Sequence, residues 1–67
     1  MSAKPADIML SNHGSVWLVT PVTDAAREWI DDNVAADAQY FAGSLVVEPR
    51  YIAGIVRGME EDGFTVA

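Results

Sequence analysis

Apolar positions fall into short runs with two different periods, and those periods divide the chain into strands and helices. Residues 15–20 read Ser-Val-Trp-Leu-Val-Thr, rich in β-formers and apolar on both faces. That pattern predicts a central strand covered by helices on at least one side. Pro21 ends it, having no N–H for a sheet ladder. Thr23 is then placed to cap a helix predicted over 24–34, with Asp24 in the first turn where negative charge is favourable. Ala26, Trp29, Ile30 and Val34 recur at i, i+3, i+4 and i+8, one apolar stripe, while Arg27, Glu28, Asp31 and Asp32 lie on the other side. Arg27 and Asp31 are spaced to pair across one turn.

The second half repeats the theme. Gln39-Tyr40-Phe41 and Ser44 to Val47 are β-like runs separated by Ala42-Gly43, which predicts a hairpin; a single strand bulged near Gly43 is the alternative. Pro49 stops the strand and suits the first position of a helix over 49–62. Ile52, Ile55, Val56 and Met59 form its stripe, with Tyr51 beside it. Gly54 and Gly58, four apart on that helix, imply close approach of another backbone. Gly63 is placed as a C-cap, and Phe64-Thr65-Val66 as a short last strand. Residues 35–38 read as a short connection.

Before the first predicted strand, residues 1–14 mix Ser, Pro, Asp, Asn and Gly around Ile8-Met9-Leu10. They read as a flexible N-terminal arm, with an edge strand or a contact to a neighbouring subunit as alternatives for the triplet. Asn12-His13-Gly14 reads as a turn. The expected organisation is one α+β domain over 15–67. Its predicted order is β-α-β-β-α-β, a two-layer sandwich that is a miniature of the ferredoxin-like arrangement. A β-α-β-α-β order with a three-stranded sheet is the alternative.

Composition narrows the function classes. A chain of 67 residues buries only about 60% of its unfolded surface, so extra stability must come from packing or self-association. It has no cysteine and one histidine, which removes disulfides, thiolate metal sites and His-rich sites. Ten acidic residues against four basic ones give a net charge of −6. With no basic cluster, direct nucleic-acid binding is disfavoured. No stretch approaches the roughly 20 apolar residues that span a bilayer, and Ile8-Met9-Leu10 is too short for a signal-peptide core, so a cytoplasmic location is the expectation. Strands this apolar predict a homodimer that covers the second sheet face, either face to face or by edge pairing of the short last strand.

Candidate chemistry is sparse. His13 sits in a turn without a rigid partner, so it reads as an exposed turn residue rather than a catalytic base. Glu60-Glu61-Asp62 lacks the alternating spacing of a calcium loop. The six aromatics (Trp17, Trp29, Tyr40, Phe41, Tyr51 and Phe64) read as core and interface residues rather than an RNA-stacking surface, because Lys4, Arg27, Arg50 and Arg57 are scattered. Glu48, Arg50 and Tyr51, at the strand-to-helix turn, are the candidate ligand-binding residues; a Glu48–Arg50 surface pair or a helix cap is the plain alternative. Glu28, Asp31 and Asp32 are the candidate protein-interaction surface, because Asp31 and Asp32 oppose the helix dipole and local energetics does not call for them. No catalytic residue, metal ligand or cofactor motif is identified.

Val16-Trp17-Leu18-Val19-Thr20-Pro21, then Ala26, Trp29-Ile30, Tyr40-Phe41, Val46-Val47-Glu48 and Arg50-Tyr51, together resemble a group of small bacterial and phage proteins usually labelled hypothetical. The resemblance covers about residues 15–66. It implies a shared fold and a mobile-element setting, and carries no site residues. The leading expectation is a small acidic, non-enzymatic protein-interaction module, homodimeric, with a basic protein partner. The alternatives are a phage-type inhibitor that mimics nucleic-acid charge, and a small-ligand-binding domain with its site near Arg50 and Tyr51 or at a dimer interface.

Overall fold

A strand lies where the sequence suggested an arm. In the computed structural model, which describes residues 6–34 and 38–67, β1 spans Ile8–Asn12 and pairs antiparallel with β2, Trp17–Pro21. The Ile8-Met9-Leu10 triplet thus takes the edge-strand alternative. Ile8 is fully buried, so β1 is integral to the core. The turn between these strands is closed by His13 N–H donating to the Val16 carbonyl at 2.9 Å and Gly14 N–H donating to Asn12 Oδ1 at 2.9 Å.

Helix α1 spans Asp24–Asn33. Thr23 caps it, its hydroxyl accepting from Ala26 N–H at 3.2 Å. β3, Tyr40–Phe41, and β4, Ser44–Val47, form the expected hairpin across Ala42 and Gly43. Both turn residues have positive φ, 51° and 82°, the signature of the two-residue hairpin turn whose twist matches the strands. Helix α2, Pro49–Glu61, starts on its proline and ends at Asp62, with Gly63 beyond it at φ 93°. Gly63 N–H donates to the Glu60 carbonyl and Phe64 N–H to Met59, both at 3.0 Å. This is the Schellman pattern, and it turns the chain back sharply. The connection read over 35–38 lies mostly outside the described residues.

The element order is therefore β-β-α-β-β-α, and the sheet order is β1-β2-β4-β3, antiparallel throughout. The ferredoxin-like β-α-β-β-α-β expectation is corrected, as is its three-stranded alternative. The reason is one strand pairing: β1 occupies the place beside β2, so the C-terminal residues can join only outside β1. They do so as a single parallel bridge, Val66 to Ile8. Asp7 secures that edge. Its carbonyl accepts from Val22 N–H at 2.7 Å, and its carboxylate accepts from Thr65 N–H at 2.9 Å.

Ile8, Val19, Leu45 and Val47 from the sheet form one buried cluster with Ala26 and Ile30 of α1 and Met59 of α2. Both helices therefore cover the same sheet face, as their apolar stripes required. The backbone approach expected at the two glycines of α2 is not found: a Cβ at Gly58 would meet the side-chain ring of Trp29 at 3.3 Å, and at Gly54 it would meet nothing. Arg27 pairs with Asp24 at 3.0 Å and not with Asp31.

Candidate groove and the two faces of the sheet

Between the end of α1, the Val46–Val47 end of β4 and the first half of α2 lies a groove of about 780 Å³. Its floor is apolar, from Leu45, Val47, Val34, Ala38 and Ile55, and its polar lining is Asn33, Gln39, Glu48 and Tyr51. Three local choices open it. β3 is two residues long, so beyond the Val46 N–H to Gln39 carbonyl bond of 2.9 Å the Val47 end of β4 has no strand on the side away from β2 among the described residues. Helix α1 stops at Asn33, short of covering that end. Gly54 contributes no side chain where α2 faces the gap. The volume is in the range of sites that take drug-sized ligands.

The structure brings together the three residues singled out at the strand-to-helix turn. Glu48 is at the N-cap of α2 but makes no side-chain cap. Its carboxylate instead lies 3.3 Å from Arg50 Nε. The Arg50 guanidinium sits 4.9 Å from the centroid of the Tyr51 ring, within cation–π reach. Glu48 and Tyr51 line the groove and Arg50 does not. All three are exposed, so the ion pair contributes little to stability; its effect is to hold a cation over the ring.

Glu28, Asp31 and Asp32 all project to solvent from α1, and none makes an ion pair among the described residues. They belong to a wider segregation of charge. None of the four strands contains Asp, Glu, Lys or Arg. The two helices with Glu48 and Asp62 at their ends carry eight acidic and three basic residues, a net −5.

On the opposite face of the sheet no strand residue is charged. Cross-strand partners share a face, so the register places Met9, Thr20, Ser44 and Phe41 in one row and Ser11, Leu18 and Val46 in the next, all turned away from the helices. Phe41 is 66% and Met9 54% exposed. The hydroxyls of Thr20 and Ser44 share a hydrogen bond of 2.7 Å across the strands.

His13 Nε2 lies 2.7 Å from Ser11 Oγ on the exposed β1–β2 turn. A nucleophile there would need a rigid orienting group and a water-excluding wall, and this exposed hairpin provides neither among the described residues. No group of three or more potential metal ligands occurs among the described residues, and no described helix is long and apolar enough to cross a membrane. Sequence reasoning reached Glu48, Arg50 and Tyr51 but missed Asn33, Gln39 and the apolar floor of the groove. The available signal was Gly54, a helix position left bare. Comparison with protein-family models, with curated proteins and with solved structures finds no match to this chain.

Proposed function

We propose that the protein is a small non-enzymatic interaction module whose helix side receives a basic, amphipathic segment of a partner protein. The observation that carries this reading is an apolar groove of about 780 Å³ opening within a helix layer of net charge −5. Apolar side chains of the segment enter the groove, and its cationic side chains meet the free carboxylates of Glu28, Asp31 and Asp32. Grooves that accept an amphipathic helix work in this way, with apolar anchors supplying affinity. Charge then contributes mainly on-rate and choice of partner. A charge mimic of nucleic acid would use the same carboxylates, and duplex DNA would compete with the protein for its partner.

The test is titration of a labelled leucine–lysine peptide with an apolar stripe against a scrambled peptide of the same composition. The striped peptide is expected to bind at least about tenfold more tightly, a 1.4 kcal/mol difference. Gly54→Leu, which puts a bulky side chain into the groove lining, should weaken that preference, and reversing Glu28, Asp31 and Asp32 to lysine should flatten the salt dependence. Equal binding of both peptides, or a Gly54→Leu protein that prefers the stripe as strongly as before, would sink the proposal.

A second reading, a small-ligand site in the same groove, is favoured by the cluster of Glu48, Arg50 and Tyr51 at its edge. It predicts that an apolar dye such as anilinonaphthalene sulfonate binds with one-to-one stoichiometry and is lost in Gly54→Leu. Dye binding that persists in that variant would count against it.

A further inference from the structure

We infer that two copies of the chain associate face to face through the uncovered side of the sheet. Three observations converge on a second copy as the occupant. The first is charge. Each copy carries its net −5 on the helix side, and the sheet side has no charged residue in any strand. Like-charged copies that met through their helices would set acid against acid. Through their sheets they meet with the charges on the far sides, where solvent screens them.

The second observation is polar satisfaction. Thr20 and Ser44, the polar centre of the Met9-Thr20-Ser44-Phe41 row, already bond to each other at 2.7 Å. Burying them against an apolar surface therefore strands fewer polar groups than burying two free hydroxyls would. Ser44 is only 7% exposed in the single chain, so little further polar surface is lost there. Two copies that use this same patch on both sides form a closed pair.

The third observation is that the sheet edges are blunted. The outer edge of β1 is occupied by the C-terminal residues, with Leu10 N–H donating to the Ala67 carbonyl and Ala67 N–H to the Ile8 carbonyl, at 2.9 and 3.0 Å. The other edge, β3, is two residues long. Edge-to-edge pairing, the other route to a β dimer, has little to build on.

The face is small. At roughly 3.4 Å per residue and 4.8 Å between strands it falls well short of the ~800 Å² per partner of a standard interface, so the dimer belongs to the weak, micromolar class. Sedimentation equilibrium of the full chain, from about 10 to about 500 μM to bracket that class, tests it. The expected result is a reversible monomer–dimer equilibrium that tightens as salt rises, because screening weakens the repulsion between acidic copies. Phe41→Glu and Met9→Glu should each weaken it at least about tenfold, the effect of burying a charge against an apolar face. Tyr40→Glu, also exposed but turned toward the helix side by its pairing with Leu45, should leave it unchanged. Far-UV circular dichroism confirms that each variant remains folded. A chain that stays monomeric over the whole range, a dimer that salt dissociates, or equal losses from Tyr40→Glu and Phe41→Glu would each overturn the inference. The groove lies on the other side of the sheet, so the peptide titration can fail without touching this result.

Discussion

The indole N–H of Trp29, on α1, donates to the carboxylate of Asp62 at the C-cap of α2, 33 positions further along the chain. One hydrogen bond thus fastens the two helices at the point where Gly63 turns the chain toward β1. Asp62 also places negative charge at a helix C-terminus, which opposes the dipole by about 0.3–1 kcal/mol. Asp62→Ala loses the acceptor, worth about 1 kcal/mol, and relieves the dipole, leaving a small net loss. Asp62→Asn keeps an acceptor oxygen and removes the charge, so its urea midpoint should match or exceed that of the wild type. If both variants fell equally, the charge itself would be what holds Trp29.

The two glycines of α2 should respond in opposite directions. Alanine in a helix interior is favoured over glycine by about 0.8–1 kcal/mol. At Gly54 the added methyl meets nothing, so Gly54→Ala should raise stability by most of that amount. At Gly58 the methyl would lie 3.3 Å from Cζ2 and 3.6 Å from Cη2 of Trp29, and overpacking of this kind costs about 1–3 kcal/mol. Gly58→Ala is therefore expected to be neutral to destabilising and to shift the Trp29 indole N–H resonance. Equal stabilisation by both substitutions would show that Trp29 does not rest on Gly58.

The β3–β4 turn carries a correctable cost. Ala42 holds φ at 51°, a left-handed conformation that costs an ordinary L-residue roughly 1–2 kcal/mol and costs asparagine less. Ala42→Asn creates the Asn-Gly pair favoured in such turns and should stabilise by about 0.5–1 kcal/mol, whereas Gly43→Ala, at φ 82°, should destabilise by about 1 kcal/mol. Thermal denaturation of the two variants measures both.

What was legible in the sequence was whatever a single element decides. The stripe of α1, the Thr23 cap, the Ala42-Gly43 hairpin and both ends of α2 are local, and they stand in the structure within a residue or two. The first strand was not legible, because Ile8 and Leu10 are its only inward apolar residues and Asp7 and Asn12 beside them are poor strand formers. Its state is decided by β2, whose open edge needs a partner ladder. That one tertiary choice also moves the C-terminus outside β1 and changes the topology. The groove left little trace for a similar reason, since no periodicity marks a gap assembled from three elements. Segregated charge could be read once the strands were assigned. Glu28, Asp31 and Asp32 looked anomalous on their own helix, yet they belong to a surface defined by the strands that lack such residues.

Neighbouring positions of β1 provide the sharpest check on that strand. Ile8 is fully buried in the common cluster, and Met9 next to it is 54% exposed on the opposite face. A mobile arm would make both substitutions silent. An integral strand makes Ile8→Ala cost about 2–5 kcal/mol through lost burial and an unfilled cavity, a large part of the roughly 3–10 kcal/mol available to a chain of this length. Met9→Ala, measured in dilute solution where the chain is monomeric, should cost well under 1 kcal/mol, as surface changes do. Should Ile8→Ala fail to fold, Ile8→Val tests the same point at about 0.5–1.5 kcal/mol. Urea midpoints that are unchanged in both Ile8 variants would remove β1 from the core and restore the order read from the sequence.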